Sequence, residues 1–229
     1  MKQTLNVYHI SDRHGQLELL KPLGLGLAYG KPDLWINTGD FAPNFTRGKP
    51  GESKRQLNWY WHKRELLREI FGDVPVICMD GNHDFCPVWG GLKSVGVNVI
   101  PIGNDELTWF KGWSFAGFPH INYIAGEWNY ETRGPELRVQ TEKTLSLKPD
   151  VMVTHSPPAQ ILDGGYGGYD HYGIEALTSA LSYGDYVPKY HFFGHVHEQG
   201  GRSAHVLGCK FYNSATTLQK VTLEDEGTK

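Results

Sequence analysis

The side chains best suited to hold metal ions are not spread evenly along this chain. They gather in five short clusters, each at or just past the end of an apolar run: Asp12-Arg13-His14, Gly39-Asp40, Gly81-Asn82-His83-Asp84, His155 and Gly194-His195-Val196-His197. Residues two apart on an extended segment point to the same face, so Asp12 with His14 and His195 with His197 are natural chelating pairs. Carboxylate, carboxamide and imidazole together make a mixed nitrogen and oxygen donor set, which suits divalent transition ions. No cysteine spacing matches a structural zinc site. Together the clusters can furnish every ligand that two cations need, and two cations side by side point to hydrolysis of phosphoesters.

Each cluster has a strand pattern in front of it. Val7-Tyr8-His9-Ile10 precedes the first, Leu34-Trp35-Ile36-Asn37 the second, Val74 to Met79 the third, Val151-Met152-Val153 the fourth and Tyr190-His191-Phe192-Phe193 the fifth. In open α/β sheets ligands gather beyond the ends of strands, so five strands delivering polar groups to one rim imply one site. The full reading places strands at 5-10, 33-37, 74-79, 98-102, 106-110, 112-117, 150-154, 190-194, 203-208 and 210-214, and helices at 15-27, 53-71, 133-147 and 171-183. In the second helix Leu57, Trp61, Leu66, Leu67 and Ile70 form the expected buried stripe. Strands alternating with helices, followed by short late strands, predict an α/β fold of two packed mixed sheets flanked by helices, a four-layer αββα sandwich.

The ordered set D-x-H, G-D, G-N-H-D, H and G-H-x-H resembles the calcineurin-like metallophosphoesterase superfamily, over residues 5 to 217. The resemblance implies one ion held by Asp12, His14, Asp40 and His197 and a second held by Asp40, Asn82, His155 and His195, with Asp40 bridging. It implies the same four-layer fold, and a bridging, activated hydroxide as nucleophile. His83, beside a ligand yet not one itself, is placed to be the general acid, with Asp84 orienting it. The donor set admits Mn, Fe, Zn or Ni, with Mn favoured.

Within the superfamily the protein phosphatases carry G-D-x-V-D-R-G, where this chain reads Gly39-Asp40-Phe41-Ala42-Pro43-Asn44. The stretches Thr154-His155-Ser156-Pro157-Pro158 and Gly194-His195-Val196-His197-Glu198 are similar to its phosphodiesterase branch, which includes the class III cyclic-nucleotide phosphodiesterases and the metallophosphoesterase-domain proteins. A phosphodiesterase acting on a phosphoester substrate, nucleotides included, is therefore expected. Arg13 between two ligands, and Tyr166, Tyr169 and His171 in a Gly- and Tyr-rich segment, are candidate substrate contacts. A nuclease, a phosphomonoesterase and a non-catalytic scaffold are the alternatives.

Composition narrows these. A formal net charge of −3 argues against a large nucleic-acid footprint, which needs a basic surface. At 229 residues the chain can bury about 70 to 75% of its unfolded surface, enough for a single domain over 1–229 without staples. Three cysteines, Cys78, Cys86 and Cys209, are expected as reduced packing residues, and with no apolar signal core or long apolar run the expected location is the cytoplasm. His9 and His191, inside apolar strands, are expected as hydrogen-bonded core residues.

Overall fold

The computed structural model describes residues 2–20, 30–168 and 170–225. One sheet has five strands in the order β13 (Leu218–Leu223), β1 (Leu5–Ile10), β2 (Leu34–Asn37), β3 (Val76–Cys78) and β4 (Val99–Pro101). β1 to β4 run parallel, and β13 closes the edge antiparallel to β1. The second sheet has six: β11 (Arg202–Val206), β12 (Cys209–Asn213), β10 (Tyr190–Phe193), β9 (Val151–Thr154), β6 (Trp113–Phe118) and β5 (Thr108–Phe110). Its four inner strands are parallel and its two edges antiparallel. A two-stranded ribbon pairs β7 (Ile121–Asn122) with β8 (Glu131–Thr132).

Alternation along the strands builds the layers. Leu5, Val7, Leu34, Ile36, Ile77, Trp113, Phe115, Val151, Val153, Tyr190 and Phe192 form the core between the sheets. The residues one step out of phase face the helices. Tyr8, Ile10, Trp35, Val76 and Cys78 pack under α1 (Glu52–His62), α2 (Arg64–Phe71) and α3 (Val88–Ser94), while Met152, Phe193, Cys209 and Phe211 pack under α4 (Gly134–Ser146) and α5 (Glu175–Tyr183). Strands buried on both faces read as continuous apolar runs, which is how the sequence shows them. The fold is thus the αββα sandwich of two mixed sheets. All three cysteines are buried and free, and no helix among the described residues is long and apolar enough to cross a membrane.

Four expectations change. The helix expected at 53-71 breaks at Lys63, where φ −93° and ψ 5° separate α1 from α2. Leu57 and Trp61 are not part of a buried stripe but 44% and 56% exposed; the inward face of α1 is Glu52, Gln56 and Tyr60. The helix expected at 171-183 begins only at Glu175, because Ile174 is extended and bridged to Pro158. From the helix expected at 15-27, the described part holds a turn and a single 3-10 turn, Glu18–Leu20, and the remainder lies outside the described residues. β13, α3, β7 and β8 are elements the sequence reading did not include.

The parallel strands β1, β2, β3, β9 and β10 all end at one rim. Backbone hydrogen bonds continue past them, from Thr38 N to Ile10 O, Asp12 N to Gly39 O, Met79 N to Asn37 O and Gly194 N to His155 O, and Ser11 bridges to Ala215 across the two sheets. These bonds keep the rim loops in register with the strands that precede them.

Candidate metal centre

At the rim the backbone turns sharply, and four residues expected as ligands carry the turn. Asp12 (φ 52°), His14 (φ 44°), Asp40 (φ 52°) and His195 (φ 67°) all adopt the left-handed conformation. For residues with a side chain this costs of order 1–3 kcal/mol each and persists only where surroundings enforce it; such strain gathers at functional sites. Gly81 allows the close approach of the third loop, since a Cβ there would land on the Asp40 carboxylate and the His155 ring.

The candidate side chains converge. Asp40 Oδ2 lies 3.5 Å from His155 Nε2, 3.8 Å from His83 Nε2 and 3.9 Å from His14 Nε2. Asp12 Oδ1 is 3.3 Å from His197 Nε2, and Asn82 Oδ1 is 3.0 Å from His155 Nε2. Two atoms about 2.1 Å from one ion, at right or tetrahedral angles, stand roughly 3.0 to 3.4 Å apart; the Asp12–His197 and Asn82–His155 spacings fall in that range, and the three to Asp40 Oδ2 lie just beyond it. Three overlapping clusters, Asp12-His14-His197, Asp12-Asp40-His155 and His14-Asp40-His83, each keep their candidate atoms within 4.8 Å of one another, and their shared members make one continuous cage. His195 joins it through its amide, which donates to Asp12 Oδ2 at 2.8 Å, and through its ring, 4.9 Å from that of His155.

The hydrogen bonds fit a cation. His155 Nδ1 donates to the Thr38 carbonyl at 2.8 Å, which leaves Nε2 of the neutral ring as an acceptor facing another acceptor, Asn82 Oδ1. With Oδ1 directed at Nε2, two buried lone pairs meet at 3.0 Å, an arrangement that a proton or a metal ion between them satisfies; a carbonyl holding the far nitrogen is the usual orientation of a ligating imidazole.

The electrostatics agree. Burial alone would raise the Asp40 carboxyl, but the imidazoles of His155, His83 and His14 hold it well below the usual carboxylate range. Asp12 is likewise lowered against the pull of burial, mainly by its hydrogen bond from His197. Burial lowers His155, yet Asp40, Asp12 and the Thr38 carbonyl together raise it to about 9. Burial takes His195 down to about 4 and lowers His83 as well. Without metal, His155 therefore holds a proton at neutral pH that an incoming ion must displace. Apparent metal affinity is expected to rise about tenfold per pH unit from 7 to 9 and to level off above; calorimetric titration with Mn in that range would check it, and a flat profile would contradict it.

The remaining sequence candidates fall differently. Asp84, expected to orient His83, accepts hydrogen bonds from the backbone amides of Asp40, Phe41, Ala42 and Gly81. The group in contact with His83 Nδ1 is instead Asn44, at 3.2 Å. Arg13 is buried and donates to the carbonyls of Gln16 and Thr216. Tyr166 is 88% exposed on a short 3-10 turn, and Tyr169 lies outside the described residues. His171 pairs with Asp163 and lines a groove between α4 and α5, apart from the cage. His9 bonds Thr38 and Ser214, and His191 bonds Thr154, as core histidines.

Two organising residues escaped the sequence reading. The buried Glu52 carboxylate accepts from Phe45 N, Thr46 N and Thr46 Oγ1. Buried Gln56 donates to the carbonyls of Pro43 and His83 and accepts from the amides of Phe85 and Cys86. One helix thus pins both loops that flank the cage. The available signal was an acid and an amide four apart on a helix, which apolar periodicity ignores.

Residues 5–199, which carry all five clusters, match the calcineurin-like phosphoesterase family. The chain belongs to that family. Family members are metal-dependent phosphoester hydrolases, and this family member retains the donor set of such a site. It is 26% identical over 201 residues to UPF0046 protein K07C11.7 of Caenorhabditis elegans, covering 86% of this chain and 65% of that protein. It is 23% identical over 226 residues to Metallophosphoesterase domain-containing protein 1 of Homo sapiens, covering 84% and 60%. The chain thus spans less than two thirds of the length of these relatives. Among solved structures, TT1561 of Thermus thermophilus shares the fold, with a TM-score of 0.62 at 14% identity, covering 96% of this chain and 99% of that one.

Proposed function

We propose that this calcineurin-like protein is a phosphodiesterase that works with two divalent cations, Mn foremost. The observation that carries the reading is the hub at Asp40, one carboxylate oxygen facing three imidazole nitrogens at 3.5 to 3.9 Å. Asp12, His14, Asp40 and His197 would hold one ion, and Asp40, Asn82, His155 and His195 the other. Ions bound there would supply an activated water and neutralise charge in an in-line displacement at phosphorus. The chain contributes the rest. His83 Nε2 faces the cage and is the group placed to donate a hydrogen bond to the departing ester oxygen as its negative charge develops. Charge favours a diester: Arg13, the cation adjoining the ligands, is spent on backbone carbonyls, which suits a phosphodiester monoanion better than a monoester dianion.

The test is a panel with Mn-loaded protein: bis-p-nitrophenyl phosphate, p-nitrophenyl phosphate, cyclic nucleotides and short oligonucleotides. The diester is expected to exceed the monoester in kcat/KM by at least about tenfold, a difference of roughly 1.4 kcal/mol. A monoester preference would overturn the diesterase reading, salt-sensitive cleavage of oligonucleotides would replace it with a nuclease, and two bound metals with no turnover of any phosphoester would point to a scaffold.

A further inference from the structure

A closed ring of contacts surrounds His83. Asn44 Nδ2 lies 3.2 Å from His83 Nδ1, and Asn44 Oδ1 accepts the backbone amide of Arg47 at 2.8 Å. The Arg47 guanidinium sits 6.0 Å from the centre of the Trp128 ring, and Trp128 stacks on the His83 imidazole with centroids 4.2 Å apart and planes 31° from parallel. The ring is braced from both sides. The five successive amides of residues 124–128 converge on the Glu131 carboxylate at 2.6 to 3.1 Å. Gly48, at φ 71°, lets the two loops touch, since a Cβ there would lie 2.8 Å from Glu127 O and 2.6 Å from the Phe85 ring.

The polarity of the hydrogen bonds is what matters. A carboxamide can present either end to a neighbour, but Asn44 Oδ1 is claimed by the Arg47 N–H, so its NH2 group faces His83. A donor facing Nδ1 makes that nitrogen the acceptor, and the hydrogen of the neutral ring then resides on Nε2, the nitrogen directed at Asp40 and the cage. Trp128 covers one face of the imidazole and opposes the ring flip that would exchange the two nitrogens. We propose that Asn44 and Trp128 are positioning residues of the reaction: Asn44 selects the tautomer that carries hydrogen on Nε2, and Trp128 fixes the tilt at which that N–H donates a hydrogen bond to the departing ester oxygen, which takes its proton from water while the ring stays neutral. The inference rests on the reading of His83 as the donor to the leaving group. Neither residue belongs to the cage, so both act through His83 alone.

The test compares Asn44→Leu, Trp128→Ala, Trp128→Phe and His83→Ala in the full Mn-loaded chain, on aryl methyl phosphodiesters whose leaving phenols differ in acidity. Asn44→Leu and Trp128→Ala are expected to keep two metal equivalents and KM within about threefold, while kcat falls roughly 10- to 100-fold for poor leaving groups and little for the best ones. The dependence on leaving-group acidity should steepen, as in His83→Ala, and Trp128→Phe, which keeps a stacking face, should restore most of the loss. A fall of equal size on every ester would mean a merely structural role and would overturn the proposal. If His83→Ala leaves the slope unchanged, the reading of His83 itself fails. If His83→Ala steepens it and the other two do not, only the roles of Asn44 and Trp128 fail. An independent readout is the nitrogen chemical shifts of His83 in the Zn-loaded protein, expected to show Nε2 protonated and Nδ1 bare, and to become mixed in Asn44→Leu; a wild-type signal with the hydrogen on Nδ1 would refute the assignment whatever the activity.

Discussion

Asp40→Ala is expected to abolish binding of both ions, not one, and to lower turnover of bis-p-nitrophenyl phosphate by about a thousandfold or more. Its carboxylate is the one acid shared by the cluster with Asp12 and His155 and the cluster with His14 and His83. Removing it leaves three imidazoles converging on an empty position, with only Asp12 to offset the charge of the ions. The amide of His83, which donates to Asp40 Oδ1 at 2.8 Å, would also lose its acceptor, so the third loop loosens together with the metals. Asp40→Asn separates the two effects. An amide oxygen can still accept from His83 N, so the loop should hold, but a neutral group cannot bridge two cations, and at most one metal equivalent should remain by elemental analysis. Two full equivalents in Asp40→Ala would remove Asp40 from the bridging position and with it the dinuclear reading.

The candidate ligands were legible as a group because each is announced locally. A strand that is buried on both faces reads as an apolar run, and the polar residue that follows it marks the rim; Ile10 to Asp12 and Phe193 to His195 are such transitions. What surrounds the ligands was hidden, because it depends on contacts between segments far apart in the chain. Glu52 and Gln56 look like solvent-facing helix residues, yet they are buried, since loop amides and carbonyls leave the sheet ladders and must find partners elsewhere. That same demand rotates α1, so Leu57 and Trp61 face outward. Arg13 looks like a phosphate contact by its neighbours, but the turn at Thr216, 203 positions away, takes its guanidinium. Nothing near Asn44 or Trp128 in sequence connects them to His83; they are 39 and 45 residues from it and meet only in the fold. β13 was missed for a related reason. As an edge strand it buries only Val221 and Leu223 on its inner side, and its polar Gln219, Lys220 and Thr222 mask the alternation.

Asp84→Ala is expected to be the most destabilising single change at the rim. Asp84 Oδ2 accepts Asp40 N at 2.6 Å and Gly81 N at 2.8 Å, and Oδ1 accepts Phe41 N at 3.1 Å and Ala42 N at 3.4 Å. All lie in buried surroundings, and an amide stranded there costs about 1–3 kcal/mol. Partial relaxation and entry of water into the vacated volume reduce the sum, so a net loss of roughly 3–6 kcal/mol is expected, a large share of the 5–15 kcal/mol that ordinarily holds a domain together. For a chain of this size that is a fall in Tm of about 10–20 °C. The Asp40 backbone would also lose the bond that helps hold its left-handed turn, so metal affinity should drop about 10- to 100-fold even though Asp84 touches no ion. His83→Ala, by contrast, removes a half-buried ring and should retain both the melting point, within a few degrees, and the metals. Melting curves of the two variants with and without Mn distinguish the roles. An Asp84→Ala protein as stable as wild type but slow only on poor leaving groups would return Asp84 to the part of orienting His83, whereas loss of stability and of metal affinity together would identify it as the anchor of the loop that carries Asp40.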